Sequence, residues 1–303
     1  MPKPPLHRVF DAGGGQIRPD FHQQTTPVIP GPDFAPDALV MQDFLNWALY
    51  WDPPMFGVAT LADVAETGRI DASGVTGAAA LRAAALANTD AQIRMFVEGL
   101  RSIDAWRSTI LFVVSDHGTD WSLPSSFVDV TGALGDHGYG DGDFLVVAGG
   151  GAASIHVPEA GLVGPIAEVV RGLEGIGLVL TRETEPSLED FGLDHERAGD
   201  IVVFTDAGYR FSDASPAANP WPGNNGNPAA RRTVLLVTGG HEAVAGPGLA
   251  VSGGEPAGVL SIAPTVAALF ALGPPESGYD GRLLTEAFDP EIFQPGPDGL
   301  CSG

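Results

Sequence analysis

The stretch that most constrains the fold of this chain is residues 110–118, with the sequence ILFVVSDHG. Its five apolar residues, three of them β-branched, predict a strand that is buried on both faces, as in a parallel sheet covered by helices. The strand ends abruptly in Ser, Asp, His and Gly. Because α/β folds bind their ligands at the carboxyl ends of such strands, Asp116 and His117 are candidate metal ligands.

Two interpretations of this Asp-His pair stay open on these residues alone. In the structural one, the aspartate caps the turn after the strand and the histidine lies exposed beside it. In the functional one, both side chains reach one metal ion. A second apolar run, residues 233–237, also ends near a histidine, His241, so two strand ends are expected to present imidazoles at the same edge of the sheet. A second Asp-His-Gly, at residues 136–138, lies in a glycine-rich loop and is a weaker candidate.

Composition excludes several classes of function. At 303 residues with 44% hydrophobic content, the chain can form one large or two smaller α/β domains with a real core. A formal charge of −23, from 15 basic and 38 acidic residues, argues against nucleic-acid or anionic-membrane binding. The single cysteine, Cys301, rules out an intrachain disulfide and a cysteine-based zinc site. No apolar run approaches the roughly 18 residues of a membrane span, and no signal peptide is visible, so the expectation is a cytoplasmic protein.

The rest of the chain predicts helices and strands in alternation. Helices are expected at residues 38–50, 76–106, 125–134, 162–173 and 262–272, and further strands at 56–61, 144–148, 152–157, 176–181, 201–204 and 233–237. The strand at 56–61, the helix after it and the strand at 110–114 are expected to form a right-handed parallel unit.

The expected domain plan has three parts. Residues 1–35 form a loop-rich segment, residues 36–290 an α/β domain, and residues 291–303 a flexible tail. Within the domain, residues 212–232 are dense in Asn, Pro and Gly and too long for a simple connection, so they are expected to be a lid or disordered.

These motifs resemble the alkaline phosphatase superfamily, and within it the nucleotide pyrophosphatase/type I phosphodiesterase branch. The resemblance rests on the strand with Asp-His-Gly at 112–118, on Gly-Gly-His at 239–241, on SIAPTVAALFAL at 261–272 and on GRLL at 281–284. It implies an α/β fold with a mainly parallel central sheet and helices on both faces. The first strand of that sheet and the nucleophile segment are expected to be missing, since neither is recognisable before Pro36.

The resemblance also implies a cofactor, a substrate class and site residues. Family members hold two divalent metal ions, usually zinc, and hydrolyse small phosphate esters or diesters. By resemblance, Asp116 and His117 correspond to ligands of one metal and His241 to a ligand of the other. The segment AETGR aligns with the family's Asp-x-x-Gly-His, which puts Ala65 and Arg69 at two ligand positions. A shifted register would use the aspartate at position 63 and would still lack the histidine.

Two functions follow from this comparison. The first is a metal-dependent phosphoric ester hydrolase with an incomplete two-metal site. The second is a non-catalytic family member that binds an anion or a nucleotide, in which the guanidinium of Arg69 replaces the charge of a metal ion.

Overall fold

The protein is an α/β structure, known from a computed structural model that describes residues 36–50, 56–195, 197–212, 221–245 and 257–294. The helices are α1 (Asp37–Tyr50), α2 (Asp63–Ile70), α3 (Ala80–Ser102), α4 (Val130–Asp136), α5 (Ala160–Arg171) and α6 (Ile262–Leu269). The strands are β1 (Ile110–Val114), β2 (Asp120–Trp121), β3 (Phe127–Val128), β4 (Leu145–Gly149), β5 (Ala152–His156), β6 (Ile176–Leu180), β7 (Ile201–Thr205), β8 (Arg210–Phe211), β9 (Gly223–Asn224) and β10 (Leu235–Gly239).

The largest sheet has four strands in the order β4-β5-β7-β6, and each neighbouring pair is antiparallel. A short glycine turn joins β4 to β5, which forces that pair to be antiparallel. Strands β5 and β6 run in the same direction, with α5 as the crossover, but β7 lies between them. Helices α4 and α5 cover one face with Leu134, Ile166 and Val170, which are fully buried against the core residues of β5 and β7.

The strand predicted at 110–114 is confirmed, but its partner runs in the opposite direction to the one expected. Strand β1 pairs with β10 in an antiparallel ribbon, in which Ile110 lies opposite Gly239 and Val114 opposite Leu235. Among the described strands only β3 and β8 pair in parallel, so the expected mainly parallel sheet is wrong for this part of the chain. The expected burial on both faces is also wrong, because the residues of β1 are at most partly buried and Val114 is 45% exposed. The long stretch of chain between β1 and β10 permits either direction of pairing.

Helices α1 and α3 pack against each other through Met41, Ala48, Phe96 and Leu100. The strand predicted at 56–61 does not form, and with it the predicted parallel unit is lost. Residues 57–62 run irregularly instead, because Leu61 packs against this helical cluster and the next residue leads into α2. No helix among the described residues is long and apolar enough to cross a membrane.

About half of the segment expected to be a lid or disordered packs against the rest of the protein. Residues 221–232 contain β9 and a 3₁₀-helix at Pro228–Arg231, with Asn227 and Ala230 almost fully buried. The order arises because β9 pairs with β2, so this segment closes a small sheet directly after β1. Residues 213–220, the expected N-terminal segment at 1–35 and residues 295–303 of the expected tail at 291–303 lie outside the described residues. The beginning of that tail is packed, since Phe293 is buried against Phe288.

Candidate functional site

His117 lies at the carboxyl end of β1, as predicted, and both of its ring nitrogens have partners. Its Nδ1 lies 2.8 Å from the carbonyl oxygen of Gly118, and its Nε2 lies 3.0 Å from the amide nitrogen Nδ2 of Asn225. A carbonyl can only accept, so Nδ1 carries the proton and the lone pair of Nε2 accepts from Asn225. The two contacts therefore fix the orientation of the imidazole ring.

Asp116 is the most open group of the motif. Its side chain is 87% exposed, and its Oδ1 accepts a hydrogen bond of 2.9 Å from the backbone N–H of His117. Its Oδ2 lies 3.7 Å from Nε2 of His117. The contact of Oδ1 is the one that the structural interpretation expects, since the aspartate accepts from the backbone of the turn after the strand.

Asn225 is held in place by the glycine turn between β4 and β5. The N–H of Gly151 donates to the carbonyl oxygen of Asn225 at 2.6 Å, and a Cβ on Gly150, whose φ is 61°, would lie 2.3 Å from that same oxygen. The three glycines at 149–151 therefore form a turn, as predicted, and the absence of side chains at 150 and 151 lets the chain at Asn225 approach the sheet.

Buried polar contacts behind the site stabilise the small sheet of β2 and β9. Asp120 Oδ2 accepts from Nδ2 of Asn227 at 2.6 Å and from the N–H of Gly208 at 2.8 Å. The guanidinium of Arg210, only 1% exposed, donates to the carbonyl oxygens of Trp221 and Ser122. Burial lowers the pKa of Arg210 from its usual value. These contacts fix the position of the segment that carries Asn225.

Helix α2 ends beside this segment, which brings Arg69 to the site. The carbonyl oxygen of Gly68 accepts from Nε1 of Trp121 at 2.9 Å, and a Cβ on Gly223 would lie 2.6 Å from Cα of Arg69. The Arg69 side chain is about half exposed, lies over the Trp221 ring at 5.8 Å and pairs with Glu66. Ala65 lies one helical turn earlier on the same exposed face.

His241 lies elsewhere, and the expectation that it shares an edge with His117 is wrong. Its N–H donates to the carbonyl oxygen of Thr109, the residue before β1, and its Nδ1 accepts from the N–H of Ala243. Because β1 and β10 are antiparallel, their carboxyl ends lie at opposite ends of the ribbon. Asp116 lies seven positions after Thr109, which at about 3.3 Å per residue is roughly 23 Å.

The described residues do not fit the two-metal centre that the resemblance implies. Asp116 and His117 offer two donors to one ion, and Nε2 of His117 is already engaged by an amide N–H. His241 is too far away to join them, and the guanidinium of Arg69 has no lone pair for a metal. Across the described ranges, no group of three or more His, Cys, Asp or Glu side chains could hold a metal ion.

The sequence prediction missed Asn225, Asp120 and Arg210. A local pattern could not reveal Asn225 as the partner of His117, because 108 positions separate them. One signal was available: the cluster of Asn, Gly and Pro at 222–228 is typical of tight turns. Arg210, between an apolar strand and that cluster, carries no sequence signal of burial.

Comparisons with known proteins were made on both sequence and fold. The sequence matches the profile of the family "Type I phosphodiesterase / nucleotide pyrophosphatase" over residues 63–226. No curated protein sequence matches significantly. Human ectonucleotide pyrophosphatase/phosphodiesterase 5 is similar in fold, with a TM-score of 0.56 and 15% identity over 71% of this chain and 55% of that chain. An inactive variant of the murine protein in complex with AMP has a TM-score of 0.55 and 18% identity over the same shares.

These matches bear on both the fold and the site. This chain spans about 55% of the length of those solved structures, and their low identity supports the alkaline phosphatase-like fold alone. Phosphonoacetate hydrolase from Sinorhizobium meliloti 1021 also matches, with a TM-score of 0.43 and 16% identity over 63% of this chain and 53% of that chain.

The family match ends one residue after Asn225, so it includes Asp116, His117 and Asn225 and leaves out His241. Since the match covers more than half of the 303 residues, the chain belongs to the type I phosphodiesterase/nucleotide pyrophosphatase family.

Proposed function

We propose that this chain binds a small phosphate-containing ligand beside the Asp-His-Gly motif, and that its described residues do not complete a two-metal centre. Family membership supports the ligand class, since the family consists of metal-dependent phosphoester hydrolases. The observation that carries the proposal is the place of Arg69, an exposed guanidinium packed beside the segment that contacts His117, at a position where the family resemblance expects a metal ligand.

A guanidinium can supply part of the positive charge that a metal ion would provide to a phosphate. Arg69 can offer two parallel N–H donors to a phosphate, and a charge-assisted contact of this kind is roughly twice as strong as a neutral one. Its cation-π contact with Trp221 holds the side chain against the protein surface, so less rotamer entropy is lost on binding. The overall charge of −23 repels anions, so a local cation is required to hold one.

Glu66 competes with any such ligand. It pairs with Arg69 at i,i+3 on α2, and the Arg69 side chain is about half exposed. Exposed pairs of this kind contribute little, about 0–1 kcal/mol, so a phosphate that contacts the guanidinium twice can displace the carboxylate. Glu66 is expected to weaken ligand binding without abolishing it.

Calorimetric titration with inorganic phosphate and with AMP tests the proposal. Arg69→Ala is expected to weaken binding by about 10- to 150-fold, since a charge-assisted contact contributes about 1.5–3 kcal/mol. Glu66→Gln is expected to tighten binding, because it frees the guanidinium. The matched control is Arg94→Ala, since Arg94 is an exposed arginine that pairs with Asp90 on α3.

Two outcomes would overturn the proposal. One is unchanged phosphate and AMP affinity in Arg69→Ala. The other is turnover of an aryl phosphodiester by the same protein in millimolar Zn²⁺ or Mn²⁺, abolished by Asp116→Ala. That second result would favour the hydrolase, for which the family match across the Asp-His-Gly motif is the supporting observation.

A further inference from the structure

The four-stranded sheet has two edges, and the edge at β6 is protected against pairing with another chain. The ladder between β6 and β7 is irregular between Ile176 and Leu178. Charged side chains line a cavity beside this edge: Glu168, Arg171 and Glu185. Irregular pairing and charge are two of the features by which proteins keep an edge strand from pairing with a further strand.

Strand β4 forms the other edge and carries neither feature. It pairs with β5 in unbroken register over its whole length, and no Asp, Glu, Lys or Arg occurs from residue 144 to residue 157. Leu145 and Val147 are 61% and 56% exposed, while Val146 packs against the core on the opposite face. Because β5 is the only strand that pairs with β4 in the described part of the chain, half of the backbone N–H and C=O groups of β4 point away from the sheet.

We propose that β4 pairs with the β4 of a second copy of this chain, which joins the two sheets into one sheet of eight strands. Two copies related by a two-fold axis perpendicular to the sheet present the same strand to each other in antiparallel orientation. In the register in which Val146 lies opposite its own counterpart, Leu145 of each copy lies opposite Val147 of the other. The two exposed apolar side chains then form a cross-strand pair twice, once on each side of the axis.

The neighbouring registers are less favourable. If the two-fold axis moves by one residue along β4, either Val147 faces the partly buried Asp143 or Leu145 faces Gly149, and the pairing of Leu145 with Val147 is lost. With the axis at Val146, Asp143 lies opposite Gly149, so no carboxylate is placed against an apolar side chain. The register centred on Val146 is therefore the one that the proposal specifies.

Charge and area determine how strong this dimer can be. A net charge of −23 on each chain repels a second copy, but the stretch from residue 144 to residue 157 carries none of that charge. A pair of five-residue strands buries less than the roughly 1,200 Å² of a stable interface, so we expect a weak dimer with a Kd of roughly 10–100 μM. The dimer does not depend on phosphate binding at Arg69, and the two proposals can fail separately.

Sedimentation velocity of the full chain tests the dimer, at about 10–500 μM protein and with about 300 mM NaCl to screen the net charge. A species of twice 31.3 kDa is expected to increase with protein concentration. Leu145→Glu should weaken dimerisation at least about tenfold, because it places a carboxylate against the apolar side chain of the other copy. The matched control is Leu236→Glu, since Leu236 on β10 is 56% exposed and lies outside the proposed interface.

Disulfide formation tests the register, and it does not depend on the folding of the glutamate variant. Leu145→Cys and Val147→Cys are each made together with Cys301→Ser and are oxidised alone and as an equal mixture. Directly opposite residues of antiparallel strands have Cα atoms about 4.5–5.5 Å apart, which a disulfide can bridge. A linked dimer is therefore expected in the mixture and not in either variant alone.

The proposal is overturned if the natural chain stays at 31.3 kDa over the whole concentration range, or if a folded Leu145→Glu dimerises as tightly as the natural chain. A dimer that Leu236→Glu weakens equally would lie elsewhere on the protein and would also contradict it. So would an oxidised mixture that contains no linked dimer. None of these results bears on the phosphate titration of Arg69→Ala.

Discussion

At the scale of single residues, the partner of a side chain decides its chemistry more than its motif does. Asp116 and His117 could be placed at a strand end from the sequence, because an apolar run followed by Asp-His-Gly indicates where a strand ends. Asn225 could not be predicted as the partner of His117. Amide residues in loops follow no periodicity, and the contact depends on how two distant segments pack.

Asp120 and Asp116 have opposite structural roles although they lie four positions apart. Asp120→Ala would remove the acceptor of the Gly208 N–H and the nearer acceptor of the buried Asn227 amide, whose Nδ2 keeps only a contact of 3.5 Å with the carbonyl oxygen of Asp206. Each unsatisfied buried group costs about 1–3 kcal/mol, so we expect urea denaturation to show a loss of about 3 kcal/mol in the free energy of unfolding.

The control for that measurement is Asp116→Ala. The Asp116 side chain is 87% exposed, so its removal should change the free energy of unfolding by less than about 0.5 kcal/mol. Equal stabilities for the two variants would show that Asp120 does not support the segment around Asn227.

At the scale of elements, the sequence predicts where helices and strands lie better than how they pair. Strands β1, β4, β5, β6 and β7 were expected within a few residues of their observed bounds, because short apolar runs between glycines predict strands. Whether two strands pair in parallel or antiparallel depends on the length of the chain that connects them. The short turn between β4 and β5 requires an antiparallel pair. The long chain between β1 and β10 does not determine the direction of pairing, and the predicted location of His241 was wrong for that reason.

The N-terminal ends of α1 and α2 are joined by two aspartates. The fully buried Asp37 accepts from the N–H groups of Ala62 and Asp63 through Oδ1, while Asp63 Oδ1 accepts from the N–H of Asp37. Each carboxylate therefore satisfies backbone donors at the start of the other helix. Burial, and after it the charge of Asp37, raises the pKa of Asp63.

The raised pKa of Asp63 predicts a pH dependence of stability. The folded protein binds the Asp63 proton more tightly than the unfolded chain does, so ionisation of this group costs stability as the pH rises through its folded pKa. Asp63→Asn is therefore expected to be more stable than the natural protein at about pH 7, with an advantage that shrinks toward about pH 4. Urea midpoints measured across this range test the expectation.

Asp71 provides a control, because its pKa is shifted in the opposite direction to that of Asp63. Hydrogen bonds from Ser73, and further ones from Arg82, lower the pKa of Asp71, so its stabilising contribution is present above the unfolded pKa and is lost as the pH falls through the folded pKa. Asp71→Asn should thus be less stable than the natural protein at neutral pH, with a deficit that fades in acid. A pH-independent difference in either variant would contradict the assignment of these shifts.

At the scale of the whole molecule, the dominant electrostatic feature is the net charge of −23 with a calculated isoelectric point of about 4.3. Self-repulsion of this charge opposes the compact state at neutral pH. The described ion pairs are mostly exposed, for example Arg94 with Asp90, and each contributes about 0–1 kcal/mol. Screening by salt should therefore relieve more repulsion than it removes attraction.

Thermal unfolding in NaCl tests this balance. Raising NaCl from about 10 mM to about 300 mM shortens the Debye length from about 30 Å to well under 10 Å, which screens repulsion between charges on different faces of the protein. We expect the Tm at about pH 7 to rise by roughly 5 °C, because 1–2 kcal/mol shifts the Tm of a domain of this size by about that amount. The control is the same titration near pH 4.3, where the net charge vanishes and salt should have little effect. A Tm that falls with salt at neutral pH, or rises equally at both pH values, would mean that the local ion pairs outweigh the net charge.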